Sequence, residues 1–365
     1  MNFDLQTLKS TIDCGREGNT IMVPFGFPKM GENIAIGKKL YFAVGGQSGT
    51  GKTAFVDLAF VLLPYFWYIQ NKDNTDIKIK WIYRSMERSK TYKLAKWVAL
   101  KLYMDTGIII EVPKLLGWRL KHKLSDDIYS KVIKSFDFFE EMLQDVEIID
   151  GSINPTGIYM HVSEYARKVG ENVEISYKTR EGLLRNTQTY KTHNEKLITI
   201  IIIDHAGRSA GEKFEGKFLH PQSKELLDRL STYCSSSFRD YYGFTPVLVS
   251  QFNRGLEDTE RRVKTAMSPL PSDYKNTSNI YEDCDTALAL YNPYKLGDLH
   301  NLGYKINDMV DEKGFNRYRS VYVLKNSYGV DDVAYGMKFT GECGYMEELK
   351  RANEMKQEDY LNIIQ

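Results

Sequence analysis

The stretch Leu40-Tyr-Phe-Ala-Val44, then Gly46-Gln-Ser-Gly-Thr-Gly51-Lys52-Thr53, then an apolar run from Ala54 to Ile69 decides the fold. The first part reads as a buried strand and the last as a helix. The link between them matches G-x-x-x-x-G-K-[ST] in the strand-loop-helix setting that a phosphate-binding loop requires. Glycines there let backbone N–H groups close around a polyphosphate where a Cβ would collide, and the helix N-terminus adds a favourable dipole. Gly46, Ser48, Gly49, Thr50, Gly51, Lys52 and Thr53 are therefore the expected cradle for ATP. Lys52 would supply charge at the β/γ-phosphates and the Thr53 hydroxyl would ligate Mg²⁺.

Further strand-like runs follow outward from this segment: Ile77 to Tyr83, Val146 to Ile149, Leu197 to Ile203 and Pro246 to Val249, separated by helical patterns. Strands alternating with helices predict an α/β fold with a mostly parallel central sheet flanked by helices. The run at 197–203 lacks polar alternation, so it is expected to be covered on both faces and to lie at the centre of the sheet. Thr286 to Tyr291, Ser320 to Leu324 and Val333 to Phe339 are expected to extend the sheet as antiparallel strands. A short helix over Asp4 to Ile12 is expected to lead into an irregular arm, and Glu347 to Asn362 reads as a polar helix. Residues 1–38 are thus read as an N-terminal arm or linker, 39–340 as the core, and 341–365 as a C-terminal helical tail. Two insertions interrupt the core: a largely helical one at about 105–145, and one at 172–192 read as a projecting β-hairpin around Glu181-Gly182.

Composition excludes several classes. The 365 residues carry 49 Lys+Arg against 48 Asp+Glu, a net charge of +1, so the chain is not a polycation that coats nucleic acid, and any such contact needs a local patch. With 42% hydrophobic and 27% charged residues, global disorder and fibrous repeats are out. The 4 cysteines show no CxxC spacing and the 6 histidines no HxxxH, so neither a zinc knuckle nor a disulfide framework is written here. The N-terminus lacks a secretory pattern, and the apolar run after Thr53 is broken by Asp57 and Pro64. A cytoplasmic protein without a membrane span is expected.

Hydrolysis needs more than a cradle. A carboxylate at the end of a buried strand should hold the Mg²⁺, and Ile200-Ile-Ile-Ile-Asp204 provides it. Glu87, in Tyr83-Arg-Ser-Met-Glu-Arg88 after the second strand, is the candidate base that orients the attacking water; its strand end is expected beside the phosphate loop. Gln251, ending the strand Val247-Leu-Val-Ser250, is placed to report the γ-phosphate.

Read together, these pieces resemble the ATPase domain of DnaB-type replicative hexameric helicases, a branch of the RecA-like P-loop ATPases, over most of residues 20–340. Ser85-Met-Glu-Arg88 looks like the family's Ser-Leu-Glu-Met element carrying the catalytic glutamate, and Ile203-Asp204-His205 is similar to its Walker B. Val249-Ser-Gln-Phe-Asn-Arg254 is similar to its Ser-Gln-Leu-Asn-Arg motif. Asp273-Tyr-Lys-Asn-Thr-Ser-Asn-Ile-Tyr-Glu-Asp-Cys-Asp285 matches its Asp-Leu-Arg-Glu-Ser-Gly-Ser-Ile-Glu-Gln-Asp-Ala-Asp loop in unbroken register, and the DNA-contacting positions fall on Lys275, Asn276 and Ser278. The resemblance implies an ATP-dependent helicase on single-stranded DNA with 5′–3′ polarity, assembled as a homo-hexamer or other homo-oligomer, with a primase or loader as partner. A phage or mobile-element origin, hence a host cytoplasm, would suit a chain whose residues 1–38 hold no counterpart of the family's docking domain.

One departure matters. The family's Lys-x-Arg-x-Gly is here Lys325-Asn-Ser327-Tyr-Gly329: Lys325 matches as a catalytic residue and the arginine finger is a serine, with Arg317 or Arg319 as the candidate replacements. Basic residues at Arg208, Lys213 and Lys217, and at Arg254, Arg261, Arg262, Lys264 and Lys275, would line a pore; the aromatic residues are expected mostly in the core, with base stacking by Phe252 and Tyr274 near those loops as the alternative. A RecA-like recombination, repair or packaging ATPase that does not unwind, and a nucleotide-ordered adaptor with little hydrolysis, are the alternatives.

Overall fold

A strand apolar on both faces must be roofed by helices on both sides, and the alternation within Leu197–Asp204 shows how this chain does it. Ile200 and Ile202 point into one core, with Phe55, Leu58, Trp81 and Trp97. Ile201 and Ile203 point into the other, with Ile158, Leu230, Phe238 and Leu248. The computed structural model describes residues 3–17, 21–119, 121, 123–178, 184–253, 261 and 267–364.

In chain order, a two-stranded sheet is formed by β1 (Met22–Pro24) and β2 (Ala35–Gly37), followed by β3 (Phe42–Gly46), β4 (Lys78–Ser85) and β5 (Val146–Asp150). A hairpin of β6 (Gly170–Lys178) and β7 (Leu184–Thr192) precedes β8 (Leu197–Asp204), and a smaller one joins β9 (Glu212–Phe214) and β10 (Lys217–Leu219). Then come β11 (Thr245–Val249), β12 (Thr286–Tyr291), β13 (Tyr318–Asn326), β14 (Val333–Thr340) and β15 (Tyr345–Glu348). Among the described residues the main sheet has nine strands in the order β15-β14-β13-β12-β3-β11-β8-β4-β5. The run from β12 to β5 is parallel, and β13, β14 and β15 add to it antiparallel.

Several expectations need correction. The middle strand is β3, not β8, although β8 is interior: two-sided apolarity reports burial and is blind to strand order. β12 pairs parallel with β3 and only on its other edge antiparallel with β13. The segment after Gly341 is not one helical tail but β15, a short 3-10 turn and a helix at Gln357–Ile364. The first helix runs over Phe3–Arg16, longer than Asp4 to Ile12, and leaves Leu5, Leu8 and Ile12 exposed. The insertion at 105–145 is largely helical, with helices at Val112–Leu115, Asp126–Lys134 and Phe136–Asp145. The expected hairpin is β6–β7, and its Glu181-Gly182 tip lies outside the described residues.

The largest departure concerns residues 21–37, which are not an arm. Val23, Phe25, Phe27, Met30, Ile34 and Ile36 are buried in the same core as the phosphate-loop helix. Phe25 meets Phe60 edge-on at 5.2 Å, and Phe27 stacks on Phe55 at 5.6 Å. The Glu348 carboxylate of β15 accepts hydrogen bonds from the backbone N–H of Lys29 (2.7 Å) and of Met30 (2.8 Å), so the last strand clamps this segment. The helix Lys52–Asn71 is long and apolar enough to cross a membrane. Its Phe55, Val56, Leu58, Phe60, Val61 and Leu62 are instead fully buried between sheet and neighbouring elements.

Phe25→Ala should therefore destabilise the protein by about 3–5 kcal/mol, the usual cost of emptying an aromatic core position. A shift of the urea midpoint at constant slope would show it; a change below about 0.5 kcal/mol, typical of surface positions, would mean that residues 21–37 contribute nothing to the core.

Candidate functional site

The geometry starts from the glycines. A Cβ on Gly46 would sit 2.6 Å from the Leu290 carbonyl oxygen of β12, and Gly51, at φ +95°, would drive one to 2.5 Å from the Met346 side chain of β15. Only glycine allows the loop to pass between these strands and open the helix at Lys52. The Lys52 ammonium donates to the carbonyls of Gly46 and Gln47, each at 2.7 Å, and so folds back over its own loop. Burial pulls its pKa down to about 8, while Asp204 and Glu87 pull the other way.

Asp204 ends β8 directly under this helix. Thr53 Oγ1 donates to Asp204 Oδ1 at 2.9 Å, and Oδ2 faces the Tyr83 hydroxyl at 3.0 Å and the Lys93 ammonium at 3.1 Å. Burial, the largest influence on Lys93, lowers its pKa, but Asp57 and Asp204 outweigh that and hold it above the ordinary lysine value, so Lys93 is a cation. A hydroxyl and a single carboxylate, both hard oxygen donors in hydrogen-bond contact, suit Mg²⁺, which takes one or two protein oxygens and fills its shell with water and phosphate.

Around these groups lies a cleft of about 560 Å³, within the range of small-ligand sites. Its lining includes Ser48, Gly49, Gly51, Lys52, Thr53, Glu87, Asp204, Arg208 and Gln251. Glu87 gets there by an unexpected route, because β4 is separated from β3 by β8 and β11. The turn after Ser85 carries it across, and Glu87 Oε2 comes to 3.7 Å from His205 Nε2. His205 adopts a left-handed backbone, φ +76°, a conformation that a bulky residue holds only where its surroundings enforce it. Burial lowers the His205 pKa, with Glu87 and Asp204 opposing. Gln251 is placed by backbone bonds on either side of it, Ser250 N–H to Val44 O at 2.9 Å and Phe252 N–H to Gly46 O at 3.2 Å.

Other expected residues fall elsewhere. Lys325 does not line this cleft; its ammonium donates to the carbonyls of Tyr281 (3.1 Å) and Glu282 (2.8 Å). Arg317 is held by Asp311 at 2.5 Å and in a fork by Glu342 at 2.6 and 2.8 Å. Arg319 lies over the Phe339 ring, its pKa brought down to about 10 first by burial and then by Arg317. Neither arginine lines the cleft of its own chain. Phe252 and Tyr274 are not base-stacking residues: both are buried, edge-on to each other at 4.8 Å, and the Tyr274 hydroxyl donates to Leu288 O. Arg208 sits on the turn after β8 at the rim of the cleft. Lys275 and Asn276 lie in the 3-10 segment Pro271–Thr277, and Ser278 opens the helix Ser278–Asp283. Arg254, Arg262 and Lys264 fall outside the described residues. Asn253, the described residue that precedes Arg254, donates its backbone N–H to Asp273 O at 3.1 Å, in the segment that carries Lys275.

The sequence reading passed over Asp57, Tyr83 and Lys93, all in contact with one another beside the cleft. A signal existed: a carboxylate inside the apolar run after Thr53 has to find a buried cationic or donor partner.

No family model matches the chain, and no curated protein matches it in sequence. Solved structures match it in shape. The ATPase domain of a phage helicase gives a TM-score of 0.63 at 15% identity, covering 96% of this chain and 99% of that one. A DnaB-like replicative helicase, solved in a study of its interactions with primase, gives 0.61 at 15% identity over 96% of this chain and 67% of that one. The fold is thus the RecA-like P-loop NTPase fold, in the form found in DnaB-like helicase domains.

A non-hydrolysable ATP analogue with Mg²⁺ should raise the melting temperature of the protein, since ligand at 100 times its Kd adds about 2.7 kcal/mol. Lys52→Ala should abolish the shift, and Asp204→Asn should make it insensitive to Mg²⁺. An analogue that stabilises the Lys52→Ala protein equally well would remove the cleft as the triphosphate site.

Proposed function

We propose that this chain is an ATP-driven, DnaB-like helicase that translocates along single-stranded DNA as a hexameric ring or other homo-oligomer, in the 5′–3′ direction and in the cytoplasm. The observation that carries this reading is the convergence of Lys52, Thr53, Glu87, Asp204 and Gln251 on one cleft. A site that only stored nucleotide would have no use for a glutamate in the same cleft as the phosphate-binding lysine.

The chemistry follows from what each group does. Backbone N–H groups of the glycine loop and the helix end at Lys52 bind the phosphates, and Lys52 exchanges its loop carbonyls for the β/γ-oxygens. Thr53 and Asp204 would hold Mg²⁺, which when bound would supply positive charge beside the phosphates. Glu87 orients the attacking water for in-line displacement, and Gln251 contacts the γ-phosphate and passes its presence to the loop that follows. Asn253, two residues after Gln251, bonds to Asp273 in the segment that carries Lys275 and Asn276 and leads to Ser278, which supports that segment as a surface for the strand's sugar-phosphate backbone. A cation with small polar residues grips phosphate without reading bases.

Lys325 is assigned to the cleft of a neighbouring copy, because it is remote from its own. The exposed Leu5, Leu8 and Ile12 on one helix support a second copy as the partner that covers them; a primase or loader is the further protein partner. A second reading, an oligomeric adaptor with little turnover, is favoured by one observation: Ser327 stands in the finger position, and both candidate arginines are engaged within their own chain.

Steady-state ATPase rates with and without a single-stranded oligonucleotide decide between these. Stimulation by the strand, abolished in Lys52→Ala, is the expected result; nucleotide binding with no turnover under either condition would establish the adaptor. Glu87→Gln should lower kcat about 10²- to 10⁴-fold with nucleotide affinity kept, and a wild-type rate would eliminate its role. Lys275→Ala should weaken binding to all single strands alike and reduce the salt slope by about 0.7, whereas an unchanged slope would sink that contact. Strand displacement on a forked duplex separates a helicase from an ATPase that only assembles on DNA.

A further inference from the structure

Three residues from three elements meet behind the Asp204 carboxylate. Asp57 stands on the phosphate-loop helix where it widens into a π-turn over Asp57–Leu62, a local feature common at functional positions. Tyr83 is on β4, and Lys93 is in the first turn of the helix Lys90–Thr106. The side chains of Lys93 and Asp57 are 2% and 1% exposed. Lys93 Nζ lies 3.2 and 3.3 Å from the two Asp57 oxygens, 2.7 Å from the Tyr83 hydroxyl and 3.1 Å from Asp204 Oδ2. An ammonium has three protons, and here it has three acceptor groups. Tyr83 has one proton, shared between Asp57 Oδ1 at 2.7 Å and Asp204 Oδ2 at 3.0 Å.

Charge and direction both follow from this arrangement. Lys93 contacts both carboxylates, so a single cationic side chain is shared between two acidic ones and the cluster has room for a second cation. Its Oδ2 is anchored from behind, which leaves Oδ1 facing Thr53. We infer that Asp57, Tyr83 and Lys93 form a positioning triad that orients Asp204 and thereby sets the Mg²⁺ requirement of nucleotide binding. This rests on the cleft being a Mg²⁺-triphosphate site. The triad also brackets the turn that carries Glu87, since Tyr83 precedes that turn and Lys93 follows it.

A buried ion pair that serves only the core can be replaced by apolar side chains of similar volume with little loss of stability, and often a gain. The test uses that fact. In the double variant Asp57→Leu/Lys93→Met, the melting temperature should be retained, and affinity for a fluorescent ADP analogue in EDTA should be unchanged. The Mg²⁺ concentration giving half of the metal-dependent gain in affinity should rise about tenfold, the lower end of the range for lost outer-shell partners of a metal ligand. Asp57→Asn alone leaves the Lys93 charge unbalanced against Asp204 and should raise it further than the double variant does. Tyr83→Phe keeps the ring and removes one of the two anchors, so it should raise it less.

A folded double variant with the wild-type Mg²⁺ requirement overturns the triad, as does a Tyr83→Phe protein with no change if the double variant fails to fold. A wild-type protein that shows no Mg²⁺-dependent nucleotide binding at all overturns the reading of the cleft, and the triad with it.

Discussion

The carboxylate of Asp204 is the point on which the rest of the site depends. One oxygen is taken by Thr53 of the phosphate-loop helix, and the other by Tyr83 of β4 and Lys93 of the next helix. A charge in so dry a place is tolerated only when its partners are complete. Satisfying it joins the end of β8 to three other elements, so the phosphate loop, Thr53 and the turn bearing Glu87 share one frame. Polar groups held this way need little reorganisation when a ligand arrives.

The sheet supplies the second constraint. β3 lies between β12 and β11, and the close approach of Leu290 leaves no room for a side chain at Gly46. The neighbour on the other edge, β11, ends in backbone bonds to β3 on either side of Gln251. Parallel strands bring their C-terminal ends to one edge, which is where open α/β sheets bind ligands. Lys52, Asp204 and Gln251 therefore converge although some 150 and 200 positions of chain separate the latter two from the first. Glu87 needs its own turn because its strand is three places away from β3.

The antiparallel extension has a mechanical role as well. β15 places Met346 against Gly51 and Glu348 on the backbone of residues 29 and 30. Residues 23–36 and the strand β15 are thus both packed against the phosphate loop and its helix. Phe25 and Phe27 complete that contact by packing on Phe60 and Phe55, which ties the stability of the site to a segment that looks like irregular coil.

Part of this architecture is legible in the sequence. The glycine-rich loop, the α/β class and the five candidates Lys52, Thr53, Glu87, Asp204 and Gln251, which line one cleft, can be read from residue type and spacing, because glycine, lysine and strand-end carboxylate are demanded locally by the chemistry of a triphosphate. The strand order, the burial of residues 21–37 and of Phe252 and Tyr274, and the engagement of Arg317 with Asp311 and Glu342 could not be read that way. Each is settled by a partner far off in the chain, and apolarity says that a residue is covered without saying by what. Asp57 and Lys93 show the boundary between the two. Their charges in apolar surroundings announce a need for pairing, but only the packing of one helix against another determines that the pair also holds Asp204.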